Sequence, residues 1–235
     1  MIVLKWNNQL ADNLKWTGDI SNREQKELVA LRVAEHVKDG QVIGVGSGST
    51  SFLAIQAIAS KGKKENLTVT AIPTSVEVAL SCARAGISTT TLAQARPDWG
   101  FDGADEVDSE FNLIKGRGGA MFAEKLVMAS SPKTYILVDE SKFVNRLGHN
   151  FPVPVEIDPR AIHLVETKLQ EMDVSAVGLR MAKHKDGPVI TEAGNLILEV
   201  RFNHIGLTTE QDLNAIPGVI ENGIFFNYPV EVISN

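Results

Sequence analysis

The sequence predicts an α/β fold: a Rossmann-like, mainly parallel sheet with helices on both faces, plus a small ferredoxin-like (split βαβ) α+β module. Two observations support this prediction. Up to about residue 150, short apolar runs alternate with helical patterns and short loops, which is typical of a parallel sheet covered by helices. Beyond that point the predicted order is β-α-β-β-α-β, the order of a split βαβ module.

The first part of the chain repeats a strand–helix cycle. Ser21-Asn-Arg-Glu24 fits a capping box at the start of a helix that ends at Gly40. Strands are then predicted at 41–45, 67–72, 87–92 and 134–138, and helices at 52–59, 76–85 and 120–129. Gly86, directly after one of these helices, fits a C-terminal cap because glycine readily adopts a left-handed conformation.

The second part has the pattern of hairpins and short helices. Phe151–Ile157 contains two prolines and is predicted to be an edge strand, where a missing N–H is tolerated. Pro159 opens a helix that extends to Met172. Further strands are predicted at 176–182, 189–191, 195–202 and 219–226, and a helix at 209–216. We therefore expect an N-terminal leader (1–20), an α/β catalytic domain (21–150) to which the last strand (227–235) returns, and a small α+β domain (151–226).

Composition limits the classes of function. Apolar residues make up 43% of the chain and charged residues 22%, as in ordinary globular proteins. The net charge of −6 argues against a general binder of nucleic acid or anionic membranes. The apolar run at the N-terminus is too short for a signal peptide, and the single cysteine, Cys82, predicted to be buried, excludes an intramolecular disulfide. We expect a cytoplasmic protein that binds neither nucleic acid nor membrane. A small anionic metabolite is not excluded, because a few local lysines can reverse the field inside a pocket.

The densest group of functional side chains lies between residues 102 and 125. Asp102-Gly-Ala-Asp105 is followed by Lys115-Gly-Arg-Gly-Gly-Ala120 and then by Glu124-Lys125. An acid/base, a cation and a glycine-rich backbone are the groups needed to move a proton on a small, anionic, hydroxylated substrate. Two simpler interpretations remain open: the acids could form a solvated Asx-type turn, and Glu124-Lys125 could be the solvent face of a helix.

The same segment does not fit a metal site. A calcium-binding EF-hand loop that starts at Asp102 would need glycine at its sixth position and glutamate at its twelfth, where Val107 and Leu113 stand. The five histidines are scattered singly, with no spacing typical of zinc ligands. We expect neither a metal nor a cofactor.

A second candidate site is the loop Gly44-Val-Gly-Ser-Gly-Ser-Thr50, which follows a strand and opens a helix. Phosphate groups bind at such places through free N–H groups and the helix dipole. The loop is not a dinucleotide fingerprint, because Ser49 stands where glycine is required, and it lacks the Gly-Lys pair of a P-loop. The alternative is a tight turn with Ser/Thr capping. Lys142, shortly after a predicted strand, is weak evidence alone but a further candidate for an anion contact when taken with the other loops.

These motifs, taken together, resemble the ribose-5-phosphate isomerase A family. The motifs that carry the resemblance are Gly46–Thr50, Asp102–Asp105, Lys115–Gly118, Glu124-Lys125 and Asp139–Lys142. Their order and spacing hold from about Ser21 to Tyr228. Arg117 departs from the family pattern, since many members have glycine there.

The resemblance implies an aldose–ketose isomerase of the non-oxidative pentose phosphate pathway, interconverting D-ribose 5-phosphate and D-ribulose 5-phosphate through an enediolate. It makes Glu124 the proton acceptor and assigns the sugar hydroxyls and carbonyl to Asp102, Asp105 and Lys115. The residues implied in substrate binding are Lys26, Ser47, Gly48, Ser49, Thr50, Gly103, Ala104, Gly116, Arg117, Gly118 and Lys142. We expect a homodimer or homotetramer.

Two other classes of function share some of these features. A sugar-phosphate-sensing effector domain could keep the phosphate loop but would need no base at Glu124. A coenzyme-A transferase on a related fold could use Glu124 as a nucleophile, but it would leave Asp102, Asp105 and Lys115 without an obvious role.

Overall fold

A computed structural model describes Trp16 and residues 19–235, which form two compact units. The first unit contains the described residues up to Gly103, Leu126–Ser141 and Pro229–Asn235, and the second contains Ala104–Lys125 and Lys142–Tyr228. Residues 104–125 and 142–150, which the sequence analysis placed in the α/β domain, thus pack with the second unit. The predicted leader lies almost entirely outside the described residues.

The first unit is built on a six-stranded parallel sheet. Its helices are α1 (Arg23–Glu35), α2 (Gly48–Glu65), α3 (Val76–Ala85) and the C-terminal half of α4 (Met121–Ser130). Its strands are β1 (Val42–Val45), β2 (Thr70–Pro73), β3 (Ser88–Thr89), β4 (Trp99–Asp102), β7 (Thr134–Leu137) and β13 (Val230–Ile233). The strand order is β13-β7-β4-β1-β2-β3, and every pair is parallel.

Helices cover both faces of this sheet. Ile43 of β1 faces the apolar core that contains Ile55 of α2. Gly44 faces the other way, because successive residues of a strand alternate between faces. A Cβ built on Gly44 would lie 2.5 Å from Cγ1 of Val127 in α4. Helix α4 therefore packs on the face opposite α2, and the prediction of helices on both faces is confirmed.

The second unit contains two antiparallel sheets. Its elements are β5 (Glu106–Val107), β6 (Leu113–Ile114), the N-terminal half of α4, β8 (Val153–Ile157), α5 (Ile162–Gln170), β9 (Val174–Leu179), β10 (Leu196–Phe202), α6 (Thr209–Asn214), β11 (Val219–Asn222) and β12 (Ile224–Phe225). The larger sheet has the order β11-β8-β10-β9 and the smaller one the order β12-β6-β5. The chain order β8-α5-β9-β10-α6-β11 and this antiparallel sheet confirm the predicted ferredoxin-like module.

The prediction that Phe151–Ile157 forms an edge strand is wrong. Strand β8 lies inside its sheet, between β11 and β10, and all five of its residues are buried. The carbonyl of Pro154 accepts the Gly223 N–H at 2.8 Å, one residue beyond the last residue of β11. The missing N–H of Pro154 leaves no carbonyl of this segment without a donor, because the Gly223 carbonyl accepts the Lys115 N–H at 2.9 Å instead.

The predicted strand 219–226 is interrupted at Gly223 and divided between the two sheets. A Cβ on Gly223 would lie 2.2 Å from the carbonyl oxygen of Lys115 and 2.6 Å from the Pro154 ring. Only glycine allows the chain to pass so close to these groups as it leaves β11 for β12.

Several boundaries differ from the prediction by a few residues. Helix α2 begins at Gly48, inside the predicted loop, and α1 starts after Asn22, whose φ of 51° and lack of a side-chain cap bond rule out a capping box. The predicted strand 189–191 forms only isolated bridges. Cys82 is buried as expected, and burial raises the pKa of its thiol to about 12. Over the described residues, no helix is both long and apolar enough to cross a bilayer.

Candidate active site

The second unit buries a carboxylate and an ammonium next to each other. Glu124 in α4 and Lys115, which follows β6, have side chains that are each 4% exposed, and Lys115 Nζ lies 3.3 Å from Glu124 Oε2. Glu124 and Lys125 are both buried, so the interpretation of this pair as a solvent face is wrong. Removed from solvent, these charges interact more strongly than a surface pair would.

Asp105 adds a second carboxylate to this cluster. Burial raises the pKa of Asp105, and the negative charge of Glu124 raises it further. The charge of Lys115 and the backbone N–H and charge of Arg117 act in the opposite direction, but the pKa remains above its ordinary value. The Arg117 N–H donates to Asp105 Oδ2 at 3.3 Å. Carboxylates in different surroundings beside one lysine suit the separate tasks of acid–base catalysis.

The position of Lys115 depends on a tight turn after β6. Its N–H donates to the carbonyl oxygen of Gly223 at 2.9 Å. Gly116 then has φ of +102°, and a Cβ there would lie 2.9 Å from Met121 Cβ at the start of α4. A glycine is therefore required at Gly116, both for its left-handed conformation and for its close approach to Met121.

The first unit holds the predicted phosphate loop at the start of α2. Ser47 is the extended N-cap residue, and the helix begins at Gly48, whose φ is +90°. The first N–H groups of a helix have no acceptor within it, so this end of α2 favours an anion. Asp102, which is 3% exposed, braces the loop: its Oδ1 accepts the N–H groups of Ser47 at 3.2 Å and Gly103 at 2.7 Å.

Lys26 of α1 lies beside this loop within the same unit. Its side chain is 7% exposed, and its Nζ lies 3.4 Å from Ser49 Oγ and 3.9 Å from Asp139 Oδ2. Burial raises the pKa of Asp139, but hydrogen bonds from the Ser141 hydroxyl and N–H and from the Asn22 side chain, together with the Lys26 charge, lower it by more, so the pKa is below its ordinary value. Asp139 therefore stays ionised and helps to keep Lys26 in place.

The other predicted binding residues lie in the second unit. The guanidinium of Arg117 lies 4.6 Å from the centroid of the Phe151 ring, and Lys142 Nζ lies 5.7 Å from the same centroid. Arg117 and Gly118 are exposed, and Ala104 is partly buried. The two cations thus share one aromatic neighbour.

Sequence reasoning missed the residue that organises the loop before β8. Glu106 is fully buried, and its carboxylate accepts the N–H groups of Gly148, Asn150 and Phe151 at 2.6, 2.5 and 2.9 Å. These bonds fix the backbone that carries Phe151. The residues next to Glu106 in the sequence do not indicate this role, because the backbone groups that it binds lie more than 40 positions further along the chain.

Lys125 is part of a buried polar network. Its Nζ donates to Glu210 at 2.6 Å, to Glu221 at 2.8 Å and to the carbonyl oxygen of Ile224 at 2.7 Å. The same ammonium lies 4.6 Å from the centroid of the Phe225 ring. Because Lys125 follows Glu124 in α4, this network anchors the part of the helix that carries the candidate base.

No group of three or more histidine, cysteine, aspartate or glutamate side chains is arranged to hold a metal ion in Trp16 and residues 19–235.

A parallel sheet covered by helices and buried acid–base groups are features of an α/β enzyme, and comparisons with known proteins identify its family. The family model of ribose 5-phosphate isomerase A (phosphoriboisomerase A) matches residues 70–235. Ribose-5-phosphate isomerase A of Methanothermobacter thermautotrophicus is 45% identical over 202 residues, which cover 85% of this chain and 88% of the relative. The Methanocaldococcus jannaschii relative is 44% identical over 88% of this chain and 92% of its own. The chain belongs to the ribose 5-phosphate isomerase A family and is an isomerase.

Solved structures of relatives have the same fold. Ribose 5-phosphate isomerase A of Methanocaldococcus jannaschii matches with a TM-score of 0.87 and 43% identity, covering 90% of this chain and 95% of that one. A D-ribose-5-phosphate isomerase in complex with phospho-erythronic acid matches with a TM-score of 0.86 and 39% identity, covering 89% and 94%. The α/β fold read from the sequence is thereby confirmed.

Proposed function

We propose that this enzyme interconverts D-ribose 5-phosphate and D-ribulose 5-phosphate through an enediolate, with Glu124 as the general base. The observation that carries the proposal is the buried carboxylate of Glu124, 3.3 Å from the ammonium of Lys115. A base that removes a proton from carbon must lie close to a group that stabilises the resulting oxyanion. The names of the relatives support the choice of substrate.

The reaction moves the carbon-bound proton from C2 to C1 and the hydroxyl proton from O2 to O1, and it needs no net oxidant. Glu124 removes the proton from C2, the electron pair of that bond forms the enediolate, and the proton returns to C1. Lys115 stabilises the negative charge that develops on the oxygen, while Asp102 and Asp105 contact the hydroxyl and carbonyl oxygens. A general base contributes roughly 10²–10⁴-fold and an oxyanion donor roughly 10²–10³-fold to such a rate.

The phosphate end of the substrate is assigned to the loop at the start of α2. The N–H groups at the start of α2, the hydroxyls of Ser49 and Thr50, and the ammonium of Lys26 are all suited to bind a dianion. The complex of a relative with phospho-erythronic acid, a phosphorylated hydroxy acid, supports a sugar-phosphate ligand. The remaining proposed contacts are Ser47, Gly48, Gly103, Ala104, Gly116, Arg117, Gly118 and Lys142.

Replacing Ser49 and Thr50 together by alanine is expected mainly to raise KM for ribose 5-phosphate and to change kcat little. The phosphate group is remote from the reacting carbons, so losing its contacts weakens the binding of the substrate and of the transition state equally. Ser60→Ala, at an exposed position of the same helix, is the matched control and should leave both constants unchanged. A large fall in kcat at constant KM would instead place this loop at the reacting carbons.

The function itself is tested by incubating the purified protein with ribose 5-phosphate, without added nucleotide or divalent metal, and measuring ketose. We expect ribulose 5-phosphate to accumulate to equilibrium. A sugar-phosphate sensor would bind the compound without turnover, and a coenzyme-A transferase would act only when an acyl-coenzyme A is supplied. Either result would contradict the proposed isomerase activity.

A further inference from the structure

The glycine-rich loop after Lys115 is held by an arginine from another part of the same unit. Arg180, the residue after β9, has a side chain that is 13% exposed. Its Nη1 donates to the carbonyl oxygens of Gly116 at 3.1 Å and Arg117 at 2.9 Å. Its Nε is paired with the carboxylate of Glu199 in β10, which holds the guanidinium in one orientation.

The backbone of Arg180 is also fixed. Its N–H donates to the carbonyl oxygen of Ile197, and its own carbonyl accepts the N–H of Val189, both at 2.9 Å. The side chain therefore extends from a segment that is hydrogen-bonded on both sides. A side chain held in this way can orient a glycine-rich loop that it contacts.

These bonds determine the direction of the peptide groups in the loop. In a trans peptide the C=O and the following N–H point in opposite directions. Because the Gly116 carbonyl faces Arg180, the Arg117 N–H faces the other way, and it does donate to Asp105 Oδ2 at 3.3 Å. The Arg117 carbonyl also faces Arg180, so the Gly118 N–H is likewise directed away from it.

The loop has few other means of keeping this conformation. Three of the four residues Gly116–Gly119 are glycines, and Arg117 and Gly118 are exposed. Glycine has the greatest backbone freedom of all residues, and at three of these four positions there is no side chain of the loop itself to select one arrangement. The one other backbone bond within the loop, Gly119 N–H to the Gly116 carbonyl at 3.0 Å, closes a turn but leaves the Arg117 carbonyl to Arg180.

We propose that Arg180 is a positioning residue for the isomerase reaction: its guanidinium holds the backbone of Gly116–Gly118 so that the loop's N–H groups face the side on which Asp105 lies. This inference rests on the proposed function, and it assigns no contact between Arg180 and the substrate. Glu199 acts with it by fixing the guanidinium. The loop thereby reaches the substrate already oriented, which avoids an entropic cost at the moment of reaction.

If Arg180 positions this loop, its removal should change how kcat/KM falls at acid pH. The charged groups that face Asp105 are Lys115, Arg117 and Glu124, and the Arg117 N–H is among the interactions that lower its pKa. When the loop is released, this hydrogen bond to the carboxylate is lost, so the anion is less stabilised and the pKa of Asp105 rises further. The acid limb of kcat/KM should then move to higher pH. A purely structural role for Arg180 would not move it.

The test compares Arg180→Met, Arg180→Lys and, as a matched control, Arg201→Met at an exposed position of β10. Methionine keeps an apolar stem and removes every donor. We expect Arg180→Met to lower kcat roughly 10- to 100-fold, the scale of a misplaced catalytic group, with KM for ribose 5-phosphate within about threefold of wild type. Arg180→Lys should fall in between, because one ammonium does not reproduce the planar fork. Arg201→Met should resemble wild type.

The outcomes separate this inference from the function on which it rests. A wild-type protein that makes no ribulose 5-phosphate overturns the proposed function, and with it the reaction that Arg180 would serve. An active wild type beside a folded Arg180→Met with native kcat and an unmoved acid limb overturns the positioning role alone. If Arg180→Met fails to fold, Arg180→Lys decides: native kcat and an unchanged pH profile in that variant contradict the proposal.

Discussion

Replacing Glu124 by glutamine is expected to lower kcat by roughly 10²-fold or more, the scale of a lost general base. Glutamine has nearly the same shape and still fits beside Lys115, but its amide cannot accept the proton from carbon. The fold and the affinity for sugar phosphate should persist, because the proposed phosphate contacts lie in a different segment of the chain. Steady-state kinetics with ribose 5-phosphate, together with circular dichroism, measure both.

The matched control for this variant is Glu166→Gln, which makes the same chemical change on the exposed face of α5. It should have wild-type kinetics. A Glu124→Gln enzyme with near-native kcat would remove Glu124 from the role of base. If the variant bound sugar phosphate as poorly as it turned it over, Glu124 would be a residue that binds the substrate and not the base.

Replacing Lys125 by methionine is expected to destabilise the protein by about 3–5 kcal/mol, the usual cost of removing one partner of a buried ion pair. The side chains of Glu210 and Glu221 are 12% and 13% exposed, and both lie against the Lys125 ammonium. Without it, two carboxylates remain close together and largely removed from water. Urea denaturation, followed by circular dichroism, gives the change in the free energy of unfolding.

The control is Lys168→Met, which removes an ion pair to Glu171 whose side chains are 45% and 59% exposed. Exposed pairs contribute little, so the stability of this variant should stay close to that of wild type. If Lys125→Met were as stable as wild type, the network would not be an anchor for the part of α4 that carries Glu124.

The parts of the fold that local patterns determine could be read from the sequence. Helix α3 has the predicted bounds, Val76–Ala85, and ends at Gly86, whose φ of +82° satisfies the requirement for a left-handed cap. Strand β7 differs from its prediction by one residue. In both cases the signals are local: the pattern of apolar residues and the residues that end the element are neighbours in the sequence.

The errors occurred where distant residues decide the structure. The two prolines in 151–157 indicated an edge strand, but Pro154 fits an interior position because the Lys115 N–H donates to the Gly223 carbonyl. The apolar run 219–226 gave no sign of a break, since Gly223 marks one only because the Lys115 carbonyl lies against it. Neither contact can be inferred from the neighbours of these residues in the sequence.

For the candidate site, the sequence pointed to some of the side chains and missed others. Motifs dense in glycine and charge drew attention to Asp105, Lys115 and Glu124, and resemblance to a family assigned roles to them. Arg180 and Glu106 were missed, because each acts on a loop that lies more than 40 residues away in the sequence. Side chains that orient a site through its backbone leave no motif at the site itself.

The most direct test of the account follows the proton in D₂O. If Glu124 carries it between C2 and C1 of an enediolate, the carboxyl group exchanges with solvent during the reaction unless the closed site shields it. Mass spectrometry of ribulose 5-phosphate formed at low conversion should therefore detect deuterium at C1, partial or complete. A hydride shift, by contrast, keeps the original hydrogen on carbon and requires a metal ion to polarise both oxygens. Complete retention of the C2 hydrogen, together with activity that depends on a divalent ion, would contradict the enediolate mechanism and the role of Glu124.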